Sequence, residues 1–246
     1  MAAIYDQFND LSVYEDWLDY SLNYLDGEDA RVIDLACGTG WFTELMSPHV
    51  GSVLGIDLDP QMIAAARRET QAYAADRLRF QTGDMTALEL ADKSVDLVTC
   101  YLDSLCFLPG LDQVEAAFCE AYRILKPGAY YLFDVWTPHQ LSEGFHNYNY
   151  AGATETAALI WDSFLEPDLT VVHELTLFGL DEDSGRYDRY EVDLTERTYP
   201  LAAYLTALEA AGFQRDQIQV SIDHGQESYD PERHSTAERW FFACRK

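Results

Sequence analysis

The sequence predicts an α/β fold: a doubly wound, mostly parallel sheet of seven strands, with an antiparallel meander inserted after the fifth. Two observations carry this. From Arg31 onward, short apolar, β-branched runs alternate with helix-favouring stretches, the order that buries a parallel sheet on both faces. Between residues 137 and 199 that alternation stops, and long two-residue-periodic runs follow one another across tight-turn residues.

Taken in order, residues 1–30 ("IYDQFNDLSVYEDWLDYSLNYL" and its flanks) place aromatics and leucines at helical spacing and predict a helical cover over the carboxyl edge of the sheet. The parallel strands are "RVIDLAC" (31–37), "SVLGIDL" (52–58), "LRFQTGD" (78–84), "VDLVTCYL" (95–102) and "AYYLFDVW" (129–136). Between them, "PQMIAAARRETQAYAA" opens with Pro60 at a helix start, and "LDQVEAAFCEAYRILKPG" ends on a Pro-Gly stop. The insertion, 137–199, holds "ALIWDSFL", "LTVVHELTLFGL" and "RYDRYEVDLTERTY", separated by "EPD" and "DEDSG". Residues 200–246 complete the first domain (31–136): the helix "PLAAYLTALEAAGF" with Gly212 as its cap, then the strands "QIQVSI" and "RWFFACR".

Composition narrows the function. A net charge of -27, from 43 acids against 16 bases in 246 residues, would repel a phosphate backbone or an anionic membrane, so neither is expected as a partner. No apolar run approaches the roughly 20 residues that cross a bilayer, and the N-terminus lacks a basic stretch followed by an apolar one, so a cytoplasmic protein is expected. The five cysteines are odd in number and include no C-x-x-C pair; reduced, mostly buried thiols and no metal site are expected.

Open α/β sheets bind ligands beyond the carboxyl ends of their strands, and the candidate residues gather there. Asp34 interrupts a buried strand, where a carboxylate is costly unless something answers it. Gly38 and Gly40 allow a tight turn and close approach to a ligand. Asp57, about 20 residues on, can accept both hydroxyls of a ribose. The third strand ends in Gly83, Asp84 and Met85, and the fourth in "CYLDSL". A nicotinamide dinucleotide and an NAD(P)-dependent oxidoreductase are one reading, but Thr43 stands where that fingerprint has its third glycine.

With these motifs in order, the chain resembles the class I S-adenosylmethionine-dependent methyltransferases, in "VIDLACGTG", "VLGIDLDPQMIAAAR", "FQTGDM", "VDLVTCYLDSL" and "LKPGAYYLFDV". It departs from the family's D-x-G-x-G-x-G at Ala36, which replaces the first glycine. The resemblance implies a Rossmann-like fold and the cofactor S-adenosylmethionine, released as S-adenosylhomocysteine. It implies that Asp34 sits near the ligand's ammonium, that Ala36, Gly38 and Gly40 face its methionine portion, and that Asp57 takes the ribose. Leu58 and Met62 would pack near the adenine, Asp84 would accept its amino group, and the N–H of Met85 would bond its ring, with Gly83 and Tyr101 beside them. Tyr5 matches an N-terminal tyrosine that closes over the methionine carboxylate in similar proteins.

The expected reaction is methyl transfer to N or O of a small-molecule acceptor; a non-catalytic S-adenosylmethionine-binding protein is the alternative. Displacement at a sulfonium mainly requires holding the nucleophile in line. If a base is needed, Asp103 is the best-placed candidate, with a turn cap involving Ser104 as its structural alternative, and His139 and His146 follow. Similar aminosugar N-methyltransferases place a histidine before leucine in this loop; here Phe107 precedes Leu108, so that base is not carried over. Phe145, Tyr148, Tyr150 and Trp161 could wall an acceptor pocket, or form the insertion's own core or a homodimer contact. The acid-rich insertion favours an amine acceptor over an anionic one.

Overall fold

The computed structural model describes residues 8, 13–25, 27–70, 77–181 and 183–246. Its larger sheet has eight strands, and its smaller sheet four. The parallel part comprises β1 (Arg31–Leu35), β2 (Ser52–Asp57), β3 (Leu78–Thr82), β4 (Val95–Cys100) and β5 (Leu125–Trp136). The insertion forms β6 (Asn149–Ala153), β7 (Ala157–Glu166), β8 (Thr170–Asp181) and β9 (Arg186–Arg197), and the chain closes with β10 (Ile218–Ile222), β11 (Glu227–Ser228) and β12 (Arg239–Arg245). Strand order is β11-β10-β12-β5-β4-β1-β2-β3 in one sheet and β6-β7-β8-β9 in the other. The eighth strand of the large sheet, beyond the seven expected, is the two-residue β11, a hairpin partner for edge strand β10 too short to show a period.

Strand β1 pairs in parallel with β2 on one side and β4 on the other, so the chain reverses its direction of travel across the sheet beside β1. That switch point opens a crevice at the carboxyl edge. Helices α1 (Val13–Leu22), α2 (Trp41–Met46) and α3 (Pro60–Glu69) cover one face, where Trp17, Phe42 and Ile63 pack with Val32, Val53 and Leu97. Helices α4 (Leu111–Ile124) and α5 (Leu201–Ala211) cover the other, packing Phe118 and Tyr204 with Tyr131, Phe133 and Phe242. Among the described residues, no helix is long and apolar enough to cross a membrane.

Local chemistry sets the element ends. Asp59 caps α3 by accepting the N–H of Gln61 at 2.7 Å, with Pro60 at its first turn. Gly212, at φ 116°, stops α5. Strand β1 stops at Leu35, two residues before its expected end, because Ala36 turns left-handed at φ 54°, the position at which the family pattern has glycine. The β6 strand was not expected: "NYAGA" has small residues, an outer edge position and little burial to give it a pattern.

Two glycine-turn substitutions test this account by urea unfolding. Gly40 sits at φ 90° and a Cβ there would lie 2.7 Å from the Phe80 ring, so Gly40→Ala is expected to destabilise by about 2 kcal/mol or more. Ala36→Gly is expected to stay within about 1 kcal/mol of wild type, since relief of left-handed strain is offset by unfolded-chain entropy. A tolerated Gly40→Ala would contradict the turn as described.

Candidate active site

The Asp34 carboxylate lies at the switch point, buried between β1 and α2. It accepts hydrogen bonds from Thr43 Oγ1 at 2.6 Å and Thr99 Oγ1 at 2.9 Å, and Thr99 is its register partner on β4. Burial pushes its pKa up to about 7, against the two hydroxyls, with the Asp57 charge adding to the rise. Thr43, which argued against a dinucleotide loop, thus holds the Asp34 carboxylate.

Gly38, at φ 55°, would meet no protein atom within 4 Å if it carried a Cβ, so its turn is open for a ligand's approach. Its N–H donates to Asp57 Oδ2 at 2.8 Å, and Asp57 Oδ1 accepts from Asp59 N–H at 2.8 Å. A carboxylate offers about four lone-pair sites, so each Asp57 oxygen keeps capacity for a further donor. Gly83 N–H bonds the Asp57 carbonyl at 2.9 Å, tying the second and third strand ends together.

One cavity of about 640 Å³ adjoins this turn. Of the sequence-predicted residues, Asp34, Ala36, Gly38, Met62, Tyr101, Asp103, Phe145, Tyr148 and Trp161 line it. Gly40, Asp57, Leu58, Gly83, Asp84 and Met85 are not in its wall, and Asp57 meets it only through Gly38. Leu58 is 71% exposed. Asp84 is exposed and accepts from Thr86 N–H at 2.8 Å and Thr86 Oγ1 at 2.7 Å, closing its own turn. Met85 packs against the core. The Tyr101 hydroxyl is paired with Ser21 Oγ at 2.7 Å. His139 is half-buried at the start of the turn Gln140–Gly144 and outside the wall, which Gln140 reaches instead; His146 and Tyr150 are exposed. Tyr5 lies outside the described residues.

Asp103 is neither an unencumbered base nor a cap on Ser104, whose hydroxyl donates to the Tyr101 carbonyl at 2.7 Å. Its carboxylate is paired with Arg239 Nη2 at 2.7 Å, and Arg239 Nη1 bonds Asp134. Asp134, fully buried, also accepts from Trp17 Nε1 at 2.9 Å, Leu102 N–H at 2.8 Å and Asp103 N–H at 3.0 Å. Burial raises the Asp103 pKa, the Arg239 charge opposes this, and the Asp134 charge adds to it. Arg239 stays charged despite burial because two carboxylates hold it, and its guanidinium lies over Trp136, 3.7 Å from the ring centroid.

Sequence reasoning missed Asp134, Arg239, His173 and Glu196. Alternation places Trp161 and Ser163 on β7, Val171, His173, Leu175 and Leu177 on β8, and Val192, Leu194 and Glu196 on β9 on one face of the small sheet. Trp161, Leu175, Leu177, Val192, Leu194 and Glu196 of that face wall the cavity. His173 Nδ1 is 2.8 Å from Ser163 Oγ and accepts from Trp161 Nε1 at 3.1 Å, and burial lowers the histidine's pKa to about 4, so its ring is neutral.

An open glycine turn at a switch point, with an acid at the end of the next strand, is the arrangement in which α/β proteins commonly bind nucleoside-bearing cofactors. A family model described as a methyltransferase domain matches residues 33–133. The chain is 30% identical over 246 residues to "Putative methyltransferase YqeM" of Bacillus subtilis (strain 168), across 100% of this chain and 95% of that one. A solved S-adenosylmethionine-dependent methyltransferase from Clostridium acetobutylicum ATCC 824 superposes with a TM-score of 0.80 at 22% identity, over 98% of this chain and 94% of that one. CalS10, an amino pentose methyltransferase from Micromonospora echinaspora solved with S-adenosylmethionine bound, does so with a TM-score of 0.73 at 22% identity, over 100% and 95%. The chain belongs to the methyltransferase family of that Bacillus subtilis relative, with the fold of the solved S-adenosylmethionine-dependent methyltransferases.

The ion cluster gives a direct test. Arg239→Met leaves the Asp103 and Asp134 carboxylates buried together, and is expected to destabilise by about 3–5 kcal/mol in urea unfolding. A loss below about 1 kcal/mol would show that the guanidinium does not hold them.

Proposed function

We propose that this enzyme methylates N or O of a small-molecule acceptor bound between the glycine turn and the inward face of the small sheet. The observation that carries this is one continuous cavity, whose wall runs from Asp34 and Gly38 to Trp161, Leu175 and Glu196. Phe145, Tyr148 and Trp161 are read as acceptor-binding, and CalS10, described as acting on an amino pentose, supports a compact acceptor. Five free cysteines fit a reducing cytoplasm.

The cofactor is read as S-adenosylmethionine, which would supply a methyl group on a positively charged sulfur. Asp57 is read as the ribose acceptor, because its two oxygens retain lone pairs after bonding Gly38 and Asp59. Asp34 is read as the partner of the ligand's ammonium, with Ala36, Gly38 and Gly40 shaping the turn around the methionine portion. Met62 and Leu58 are read as flanking the adenine and Asp84 with Met85 as meeting its edge; Leu58 and Asp84 are exposed and Gly83 is tied to Asp57 beside them. Tyr101 forms the cavity wall beneath the helical cover.

Calorimetry with S-adenosylhomocysteine tests these assignments. Asp57→Ala is expected to weaken binding about tenfold or more, through loss of hydrogen bonds to a charged group. Because Asp34 titrates near 7, pairing it with an ammonium lowers its pKa. Binding at pH 7 is therefore expected to release up to about half a proton, seen as a dependence of the heat on buffer ionisation enthalpy. Asp34→Asn abolishes that release. Unchanged affinity in Asp57→Ala, or an identical release in Asp34→Asn, would overturn the corresponding role.

A further inference from the structure

The acceptor end of the cavity contains a buried carboxyl group that makes no direct ion pair with a charged base and leaves one oxygen without a hydrogen bond. Glu196 faces inward from β9, is 5% exposed, and lines the cavity. Among the described residues, no hydrogen-bond partner reaches its Oε2. Its nearest basic neighbour is His173, whose Nε2 lies 3.6 Å from Oε1, beyond hydrogen-bonding distance. With Ser163 and Trp161 serving Nδ1, the His173 proton belongs on Nε2, on the side of Glu196, but the ring carries no net charge there. Arg239 is already shared between Asp103 and Asp134.

A buried carboxyl with one oxygen unbonded is costly in the empty protein, and so favours a ligand that brings a donor and a positive charge. The remaining wall agrees. It holds Asp34, Glu196 and Asp103, the last already paired with Arg239, and, among the described residues, no lysine, arginine or histidine, so an anionic acceptor would find no free positive charge in the wall. The aromatic ring of Trp161 suits a cation, while Leu175, Leu177, Val192 and Leu194 suit an apolar body. Resting on the methyltransferase reading above, we propose that Glu196 binds and deprotonates the acceptor's amino group, and that the acceptor is a small amine on an apolar body.

The proton count closes. An alkyl ammonium gives one proton to Glu196, leaving a neutral amine and a carboxylic acid. The freed nitrogen lone pair forms the N–C bond as the methyl carbon's bond to sulfur breaks, with that electron pair staying on sulfur. Positive charge passes from sulfur to nitrogen, and Glu196 returns its proton to solvent when product leaves. Burial, followed by the neighbouring Asp103 charge, raises the Glu196 pKa well above that of an ordinary carboxylate against the smaller opposing effects of Trp136 and Arg239, which brings its basicity closer to that of an amine.

The test uses shape-matched probes: cyclohexylamine, cyclohexanol and cyclohexanecarboxylate, titrated calorimetrically into the full chain with and without S-adenosylhomocysteine. Cyclohexylamine is expected to bind about tenfold or more tighter than cyclohexanol, with the carboxylate weakest. The isosteric Glu196→Gln is expected to erase the amine preference while S-adenosylhomocysteine affinity stays within about threefold of wild type, which also reports an intact fold. An amine that binds no tighter than the alcohol, or a preference that survives Glu196→Gln, overturns the proposal. Loss of S-adenosylhomocysteine binding by the wild type would overturn the cofactor-site reading, and with it this proposal; the probe preferences alone separate the two failures.

Discussion

The structure around the cavity depends on one buried carboxylate. Asp134, near the end of β5, gathers Trp17 from α1, the N–H groups of Leu102 and Asp103 after β4, and Arg239 from β12. Leu102 and Asp103 both adopt left-handed backbone, at φ 56° and 52°. For non-glycine residues that conformation costs about 1–2 kcal/mol each, and their two bonds to Asp134 hold the chain there. The strained turn brings the Asp103 side chain to the cavity, where Arg239 answers it. Segments more than 100 residues apart in sequence are thereby joined into one wall.

This arrangement divides the acids into two kinds. Asp103 and Asp134 are answered by Arg239, so they belong to the built framework, while Asp57 is held by backbone N–H groups with lone pairs left for a ligand. Asp34 and Glu196 are buried without an ion pair to a charged base, and both have raised pKa values, chiefly from burial. They lie along one cavity, Asp34 at the glycine turn and Glu196 on the inserted sheet. A sulfonium amino acid and an amine, both cationic, suit such a pair of sites. The overall charge of -27 acts in the same sense by attracting cations.

Much of the fold was legible in the sequence because strand and helix periods alternate cleanly from Arg31, and because glycines stand where the chain turns left-handed. Asp34 was legible as an acid breaking an apolar strand. Asp134 has the same character in "YYLFDVW", but its partner Arg239 lies over 100 residues on, at the start of a strand, where a charge reads as a solvated end. Glu196 and His173 carried a weaker signal. Counting by twos from Val192 and Leu194, or from Leu175 and Leu177, puts each on the apolar face, yet the run "TERT" around Glu196 reads as polar. The meander was identifiable from its turns; that its inward face walls the cavity depends on packing against the large sheet, which no local period encodes.

The account's central claim is that donor and acceptor share the hollow between the glycine turn and the inserted sheet. A crystal structure of the S-adenosylhomocysteine complex tests it most directly. The account places the ribose hydroxyls on Asp57 and the sulfur within the cavity, on the side that opens toward Glu196. A product molecule seated elsewhere, or one whose sulfur faces away from the inserted sheet, would contradict it.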